Sequence, residues 1–402
     1  MNLKRLALAA GTVFFFFTLP GIFAQGFSLS GILDSSVNMR SGAGDAPAFS
    51  YGLEEYANLR AQAKIRDQAV LYGALNFTAA AGNSAREASE WGLYQKGRQN
   101  GLSPSSYADG ENYVSGIELE RLYFRLNGDY LDFDGGLLRL PFGYGQVWGP
   151  SDFLNPRNPL YPDARPRAVL GAGLSWYPND SNKILFFGAA PKDPLSEPGA
   201  GGLGGISLDR HGDKASLQLL YVFQSPHEGA EQGLHRTGLS LKADLALGLA
   251  ADMLYTYNRE AETGVEGLSA SAGFDYSFLD GRFYLLAEYL YNGGASATSA
   301  EGGNLAGFSN ENCLYASLLY RINDYTSVSA ALIAGFNDVS FTPMLRGEHE
   351  LFQGLTLTLS AQFPMDRSLF RNDGEKGEFG PLPPGLDGGS RFRFNAKARL
   401  RF

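Results

Sequence analysis

Apolar and polar residues alternate with a period of two along most of this chain. At the C-terminus Phe392, Phe394, Ala396, Ala398, Leu400 and Phe402 alternate with Arg391, Arg393, Asn395, Lys397, Arg399 and Arg401. A helix repeats every ~3.6 residues and cannot sort these two sets onto opposite faces, whereas a strand does so automatically. The same alternation recurs over 27–39, 56–66, 70–81, 268–278 and 355–363. In the second of these, Ala57, Leu59, Ala61, Ala63 and Ile65 face one way, and Asn58, Arg60, Gln62, Lys64 and Arg66 the other. One face suits hydrocarbon and the other water.

Carried along the chain, this pattern predicts strands at 27–39, 53–66, 69–82, 115–127, 130–140, 165–177, 183–190, 203–209, 215–225, 236–246, 247–257, 266–278, 282–292, 312–322, 326–335, 340–350, 354–364 and 391–402. The expected fold is all-β, a closed antiparallel transmembrane barrel of about 18 strands, within a range of about 16 to 20. Every second connection is short: Asp67-Gln68, Asn127-Gly128-Asp129, Pro178 to Asn182, Arg210 to Lys214, Leu279 to Gly281, and Asn323 to Tyr325. The others are mostly long, as at 83–114, 141–164, 293–311 and 365–390. Such segregation belongs to a barrel with periplasmic turns and external loops. Aromatic residues fit two interfacial girdles. Tyr221, Phe223, Tyr255, Tyr257, Tyr289 and Tyr291 fall at external strand ends, and Trp176, Tyr276, Phe278, Tyr320 and Phe402 at periplasmic ends.

The ends refine this reading. Lys4 and Arg5, the apolar run Leu6 to Leu19, and Ile22-Phe23-Ala24 form an export signal, so the expected organisation is 1–24 signal peptide and 25–402 barrel. The apolar run is shorter than the ~20 residues of a spanning helix. Without Lys4 and Arg5, 31 basic face 42 acidic side chains, a net charge of −11. That balance argues against nucleic acid as a partner. The lone Cys313 cannot form an internal disulfide, so another device must hold the fold, and closure of the sheet is one.

Two segments carry a family resemblance. The ending Leu400-Arg401-Phe402, with its alternating apolar predecessors, resembles the C-terminal signal of bacterial outer-membrane proteins, which implies the barrel-assembly machinery as a partner and Phe402 as the assembly signal. Trp148-Gly149-Pro150-Ser151-Asp152-Phe153-Leu154-Asn155-Pro156 resembles the W-G-x-x-D-x-x-N-P segment of large substrate-channel porins.

Candidate chemistry concentrates inside the barrel. The loop from Pro141 to Pro166 contains six prolines, each of which fixes φ and restricts its predecessor. Such a loop loses little entropy on ordering and suits a constriction in the lumen, with Trp148, Asp152, Asn155, Arg157 and Arg165 as its candidate residues. A rigid surface loop is the alternative. Inward positions near closure are basic: Arg60, Lys64, Arg66, Arg121, Arg125, Arg391, Arg393, Lys397, Arg399 and Arg401. Asp252, Asp275 and Glu288 point inward from the opposite wall, so a transverse field across the pore is expected. In the competing reading the arginines pair with Asp152, Asp163, Glu118 or Glu120 and only stiffen the wall.

Enzymatic signals are weak. His211, His227, His235 and His349 lack metal spacing, no G-x-S-x-G occurs, and Gly199 to Gly205 does not precede a helix. No cofactor or metal is expected. Strand pattern begins at Phe27, leaving no room for an N-terminal hatch or plug. The expected function is a porin-like channel in the bacterial outer membrane, in contact with its lipids, passing small hydrophilic solutes, anionic ones among them. Acidic mouth residues Glu54, Glu55, Asp109 and Glu111 would instead favour cations, and an adhesin or structural barrel without an open pore is the alternative class.

Overall fold

The computed structural model describes residues 26–42, 49–65, 68–82, 105–110, 113–155, 157, 159–160, 166, 168–190, 201–226, 233–257, 267–293, 310–365 and 390–402. Strands β1 (Gly26–Gly42), β2 (Phe49–Ile65), β3 (Ala69–Gly82), β4 (Ser105–Gly110), β5 (Tyr113–Asn127) and β6 (Leu131–Leu138) come first. They are followed by β7 (Val169–Asn179), β8 (Asn182–Ala190), β9 (Leu203–His211), β10 (Ala215–Gln224), β11 (Leu234–Asp244), β12 (Gly248–Tyr257) and β13 (Leu268–Phe278). The chain ends with β14 (Phe283–Asn292), β15 (Asn312–Arg321), β16 (Thr326–Gly335), β17 (Ser340–Phe352), β18 (Leu355–Gln362) and β19 (Ser390–Arg401). Residues 1–24, expected as a signal peptide, and Arg66, Asp67, Asp163 and Arg165 lie outside the described residues.

Strands pair antiparallel with their neighbours, and β19 returns to β1, from Ile32↔Arg401 to Gly42↔Ser390, closing the sheet. Eighteen strands make the wall. The additional one, β4, was expected as loop, because its sequence Ser-Ser-Tyr-Ala-Asp-Gly offers no alternating apolar face. It pairs with one half of β5, Ser105↔Glu118 to Gly110↔Tyr113, while β6 pairs with the other half, Leu122↔Leu137 to Asn127↔Asp132. The two therefore share one edge of β5. β6 stops at Leu138, where the chain turns into the lumen, and β4 occupies the backbone groups left open beyond it.

The alternation dictates the faces. Leu29, Leu33 and Val37 of β1, Leu217, Leu219, Tyr221 and Phe223 of β10, and Leu239 and Leu241 of β11 point outward and are exposed. An apolar belt of this kind is stable only where hydrocarbon replaces water. At the turn end Tyr276, Phe278, Phe283 and Tyr320 stack in a row with centroid separations of 6.1, 5.1 and 4.5 Å. At the loop end Tyr221 and Phe223 lie against His235. The turn between β13 and β14 uses left-handed Leu279, Asp280 and Gly281, closed by Arg282 N–H donating to the Leu279 carbonyl at 3.1 Å. Buried apolar residues form clusters inside the barrel, between the wall and the segment that follows β6.

Candidate functional site: the inward-folded loop and the basic wall

After Leu138 the chain runs along the inner wall, held there mainly by its backbone. Six consecutive N–H groups donate to wall side chains. Gly143 donates to Gln218 Oε1 on β10 at 2.6 Å, and Tyr144 and Gly145 to the two oxygens of Asp252 on β12 at 3.0 and 3.1 Å. Gln146 and Val147 donate to Glu288 Oε2 on β14, both at 2.9 Å, and Trp148 to Oε1 at 3.0 Å. A run of N–H groups aimed at one side forms an anion-binding concavity. Here the anions are carboxylates of the wall itself. Asp252 and Glu288 are almost fully buried, and the loop's N–H groups replace the water they have lost.

Further polar contacts extend the fixation. The Gln146 side chain donates to Asp275 Oδ1 at 2.7 Å and accepts from Tyr284 OH at 3.1 Å. The Trp148 indole donates to the Glu288 carbonyl at 3.3 Å, and Gln362 of β18 donates to the Leu160 carbonyl at 3.1 Å. Apolar packing completes it: Leu140, Phe142 and Leu154 join Leu185, Phe187, Val222 and Leu254 of the wall, and Val147 and Trp148 join Leu290, Cys313 and Ile333.

Glycine permits the close approach. Gly143 has φ +79, and a Cβ there would lie 2.2 Å from Asp252 Oδ2; at Gly145 it would lie 2.7 Å from Gly149 Cα. Gly149 follows Trp148 with φ +50, and Asp152 N–H returns to its carbonyl at 2.9 Å. Asn155 N–H then donates to the Asp152 carbonyl at 3.0 Å. The W-G-x-x-D-x-x-N run thus forms a compact double turn, with Trp148, Asp152 and Asn155 all buried. Burial pushes the Asp152 carboxyl from 3.8 up to about 7, against the opposing hydrogen bond from Phe142 N–H and the charges of Arg157 and Arg139.

The sequence places Asp252, Asp275 and Glu288 inward, and inward they point, but they do not form an acidic wall facing open water. Their charge is turned to the inward-folded loop. On the basic side, Arg60, Lys64, Arg121, Arg125, Arg393, Lys397, Arg399 and Arg401 occupy the inward register of β2, β5 and β19. Several have partners. Arg399 makes two bonds to Asp34, at 2.7 and 2.6 Å, and Arg125 meets Asp134 at 2.5 Å. Arg121 lies 3.6 Å from Glu120 and over the Tyr72 ring, which stacks on Tyr123. Lys64 and Arg401 are exposed, Arg60 is half-buried and donates to Asn58 at 2.6 Å, and Lys397 is buried. Arg391 lies in β19, Arg157 is exposed and donates to the Gln146 carbonyl at 3.2 Å, and Phe402 is exposed at the outer surface.

One contributor escaped the sequence reading, and a second, Glu120, was expected only as a partner for the arginines. Gln218 is neutral and gives no charge signal. Glu120 sits at a β-bulge, where the register shifts between Ala74 and Leu75, so Glu118, Glu120 and Arg121 break strict alternation. Glu120 gathers Arg139 at 2.8 Å and Asn58 at 2.6 Å, tying the start of the loop to the basic side. Among the described residues no group of three or more His, Cys, Asp or Glu could hold a metal ion.

Neither family models nor curated proteins yield a match to this chain. Solved structures do. Acinetobacter baumannii OccAB4 is 12% identical with a TM-score of 0.52, covering 94% of this chain and 98% of its own. Pseudomonas aeruginosa OccK9 (OpdG) is 11% identical with a TM-score of 0.57, covering 94% and 100%. The outer membrane protein opdK from Pseudomonas aeruginosa is 9% identical with a TM-score of 0.55, covering 94% and 99%. What this chain shares with them at such identities is the fold, a closed antiparallel barrel of 18 strands.

Proposed function

We propose that the chain is an outer-membrane porin, a passive channel for small hydrophilic solutes that favours anions along its basic wall. The observation carrying this reading is the one-sided placement of the loop. Six backbone N–H groups bind it to Gln218, Asp252 and Glu288, so Asp252 and Glu288 of that wall are masked while β19, β2 and β5 keep inward basic residues. A barrel of this strand number is wide enough for water with the segment after β6 laid against its wall. The likeness to outer-membrane channels supports the location, residues 1–24 are the export signal, and Phe402 is the element read by the barrel-assembly machinery. Outer-membrane lipids cover the apolar belt.

Planar-bilayer recordings of purified protein test this reading. Stable conductance and an anion-selective reversal potential under a salt gradient are expected, with selectivity falling when Arg60, Lys64, Arg393 and Lys397 are neutralised together. Single contributions will be modest, because salt screens charges over ~8 Å at physiological ionic strength. A barrel that inserts and passes no current is structural or adhesive, and a cation-selective pore indifferent to the four substitutions removes the anion preference.

A further inference from the structure

The outer, lipid-facing surface of the barrel carries a basic side chain that neither the loop clamp nor the basic track uses. His235 of β11 stands on that face at the loop end, half-buried, in one cross-strand row with Phe223 of β10 and Tyr257 of β12. The outward row below it holds Tyr221, Thr237 and Tyr255, and the one below that Leu219, Leu239 and Met253. These last three are all exposed, so the surface passes from aromatic and polar to wholly apolar along the strands. The upper row is well fixed. The Phe223 ring lies with its centroid 5.1 Å from that of His235, and Gly233 leaves it room, since a Cβ there would meet the ring at 2.5 Å. Tyr221 OH lies 2.9 Å from His235 Nδ1.

A phenolic hydroxyl is a better donor than a neutral imidazole N–H, so Tyr221 donates to Nδ1 and the ring proton rests on Nε2. Among the described residues none accepts from Nε2. His235 therefore offers an N–H to the headgroup layer whether the ring is neutral or protonated. Phe223 and Tyr257 flank it with flat apolar faces of the kind on which sugar rings pack, and Thr237 adds an exposed hydroxyl. We propose that Phe223, His235, Thr237 and Tyr257 form a headgroup site for a phosphorylated glycolipid of the outer leaflet. Its phosphate accepts from His235 Nε2–H, its sugar covers the two rings, and its acyl chains descend over Leu219, Leu239 and Met253. A phospholipid without sugar would leave the rings bare, and free phosphate would gain nothing from the apolar column. The site lies on the outside of the wall, so it rests on the outer-membrane location and not on the passage of solutes.

Native mass spectrometry of the purified barrel tests the site, with diphosphoryl lipid A, its dephosphorylated form and phosphatidylglycerol titrated in separately. The wild type should retain diphosphoryl lipid A under activation that strips the other two. His235→Phe should weaken that retention about tenfold, the effect of one hydrogen bond to a charged group, and leave the dephosphorylated lipid unaffected. His235→Gln, whose amide N–H can stand in for Nε2–H, should restore part of it. Phe223→Leu and Tyr257→Leu should weaken both sugar-bearing lipids alike and leave phosphatidylglycerol unchanged. His235→Phe exchanges one ring for another on the outer surface, so its barrel should remain heat-modifiable at normal yield. Equal retention of diphosphoryl lipid A by wild type and His235→Phe, equal retention of its phosphorylated and dephosphorylated forms, or phosphatidylglycerol held as firmly overturns the proposal. Selective lipid retention by a barrel that passes no current leaves the site standing and removes the porin reading; current without selective retention does the reverse.

Discussion

Glu288 and Trp148 are joined twice: the Trp148 backbone N–H donates to Glu288 Oε1 at 3.0 Å, and its indole donates to the Glu288 carbonyl at 3.3 Å. Since Glu288 also takes the N–H groups of Gln146 and Val147, its carboxylate bears three of the six backbone bonds that position the loop. Hydrogen bonds to a charged group contribute about 1.5–3 kcal/mol each, and a neutral donor orphaned in a buried place costs about 1–3 kcal/mol. Glu288→Ala should therefore release the loop. The expected signs are a larger, noisier single-channel conductance and a red-shifted tryptophan emission as the Trp148 indole meets water; an unchanged trace and spectrum would show that apolar packing alone seats the loop.

Gly143 offers a second route to the same release. An alanine there would suffer both the positive φ and a Cβ only 2.2 Å from Asp252 Oδ2. Gly143→Ala should cost at least about 1 kcal/mol from the backbone and more from the displaced carboxylate. Gly347→Ala, with nothing within 4 Å of the added carbon, serves as control. Thermal unfolding should separate the two, and equal midpoints would refute the close fit.

Asp152 should make the loop sensitive to pH. Its folded carboxyl is pushed up to about 7 by burial, whereas in a released loop it would titrate near 3.8. In that window the seated loop holds a proton that the released loop gives up. Seating is thus favoured at low pH, weakens as pH rises through the window, and has lost this contribution above about 7. Loop-derived current noise should grow between about pH 4 and about pH 7 in the wild type, level off above that, and stay flat in Asp152→Asn. Parallel profiles for the two proteins would exclude Asp152 as the titrating group.

The seam supplies a prediction about assembly. Gly31 and Phe402 exchange backbone hydrogen bonds at 2.8 and 3.1 Å, and a Cβ on Gly31 would meet the Phe402 ring at 2.5 Å. The last residue therefore lies across the first strand at closure. Deleting Phe402 should lower the amount of heat-modifiable barrel in the membrane, and Gly31→Val should do so more mildly by displacing the ring. Normal levels of both would separate the terminal aromatic from assembly.

Legibility followed the period. The ranges read from the pattern as 69–82 and 326–335 coincide with Ala69–Gly82 and Thr326–Gly335, because strict alternation leaves little freedom in placing a strand with one face in hydrocarbon. β4 was illegible for the opposite reason: it pairs through backbone and carries no alternating face. The inward direction of Asp252 and Glu288 could be read from register, but their task could not. What they bind is the N–H row of residues 143–148, and backbone donors leave no mark on a sequence. Gly143, Gly145 and Gly149 were the available signal, since glycines at such spacing announce a backbone that must come close to something.

A loop held in good part by its peptide groups can change some of its side chains without losing that hold. Tyr144, whose N–H is held by Asp252, could be exchanged for many residue types without disturbing that bond, because proline alone lacks the donor. The inner surface at such positions can then drift by mutation, or be rewritten by design, while the wall that carries it stays the same. A lineage of such barrels would be expected to vary in what it admits far faster than in how it is built.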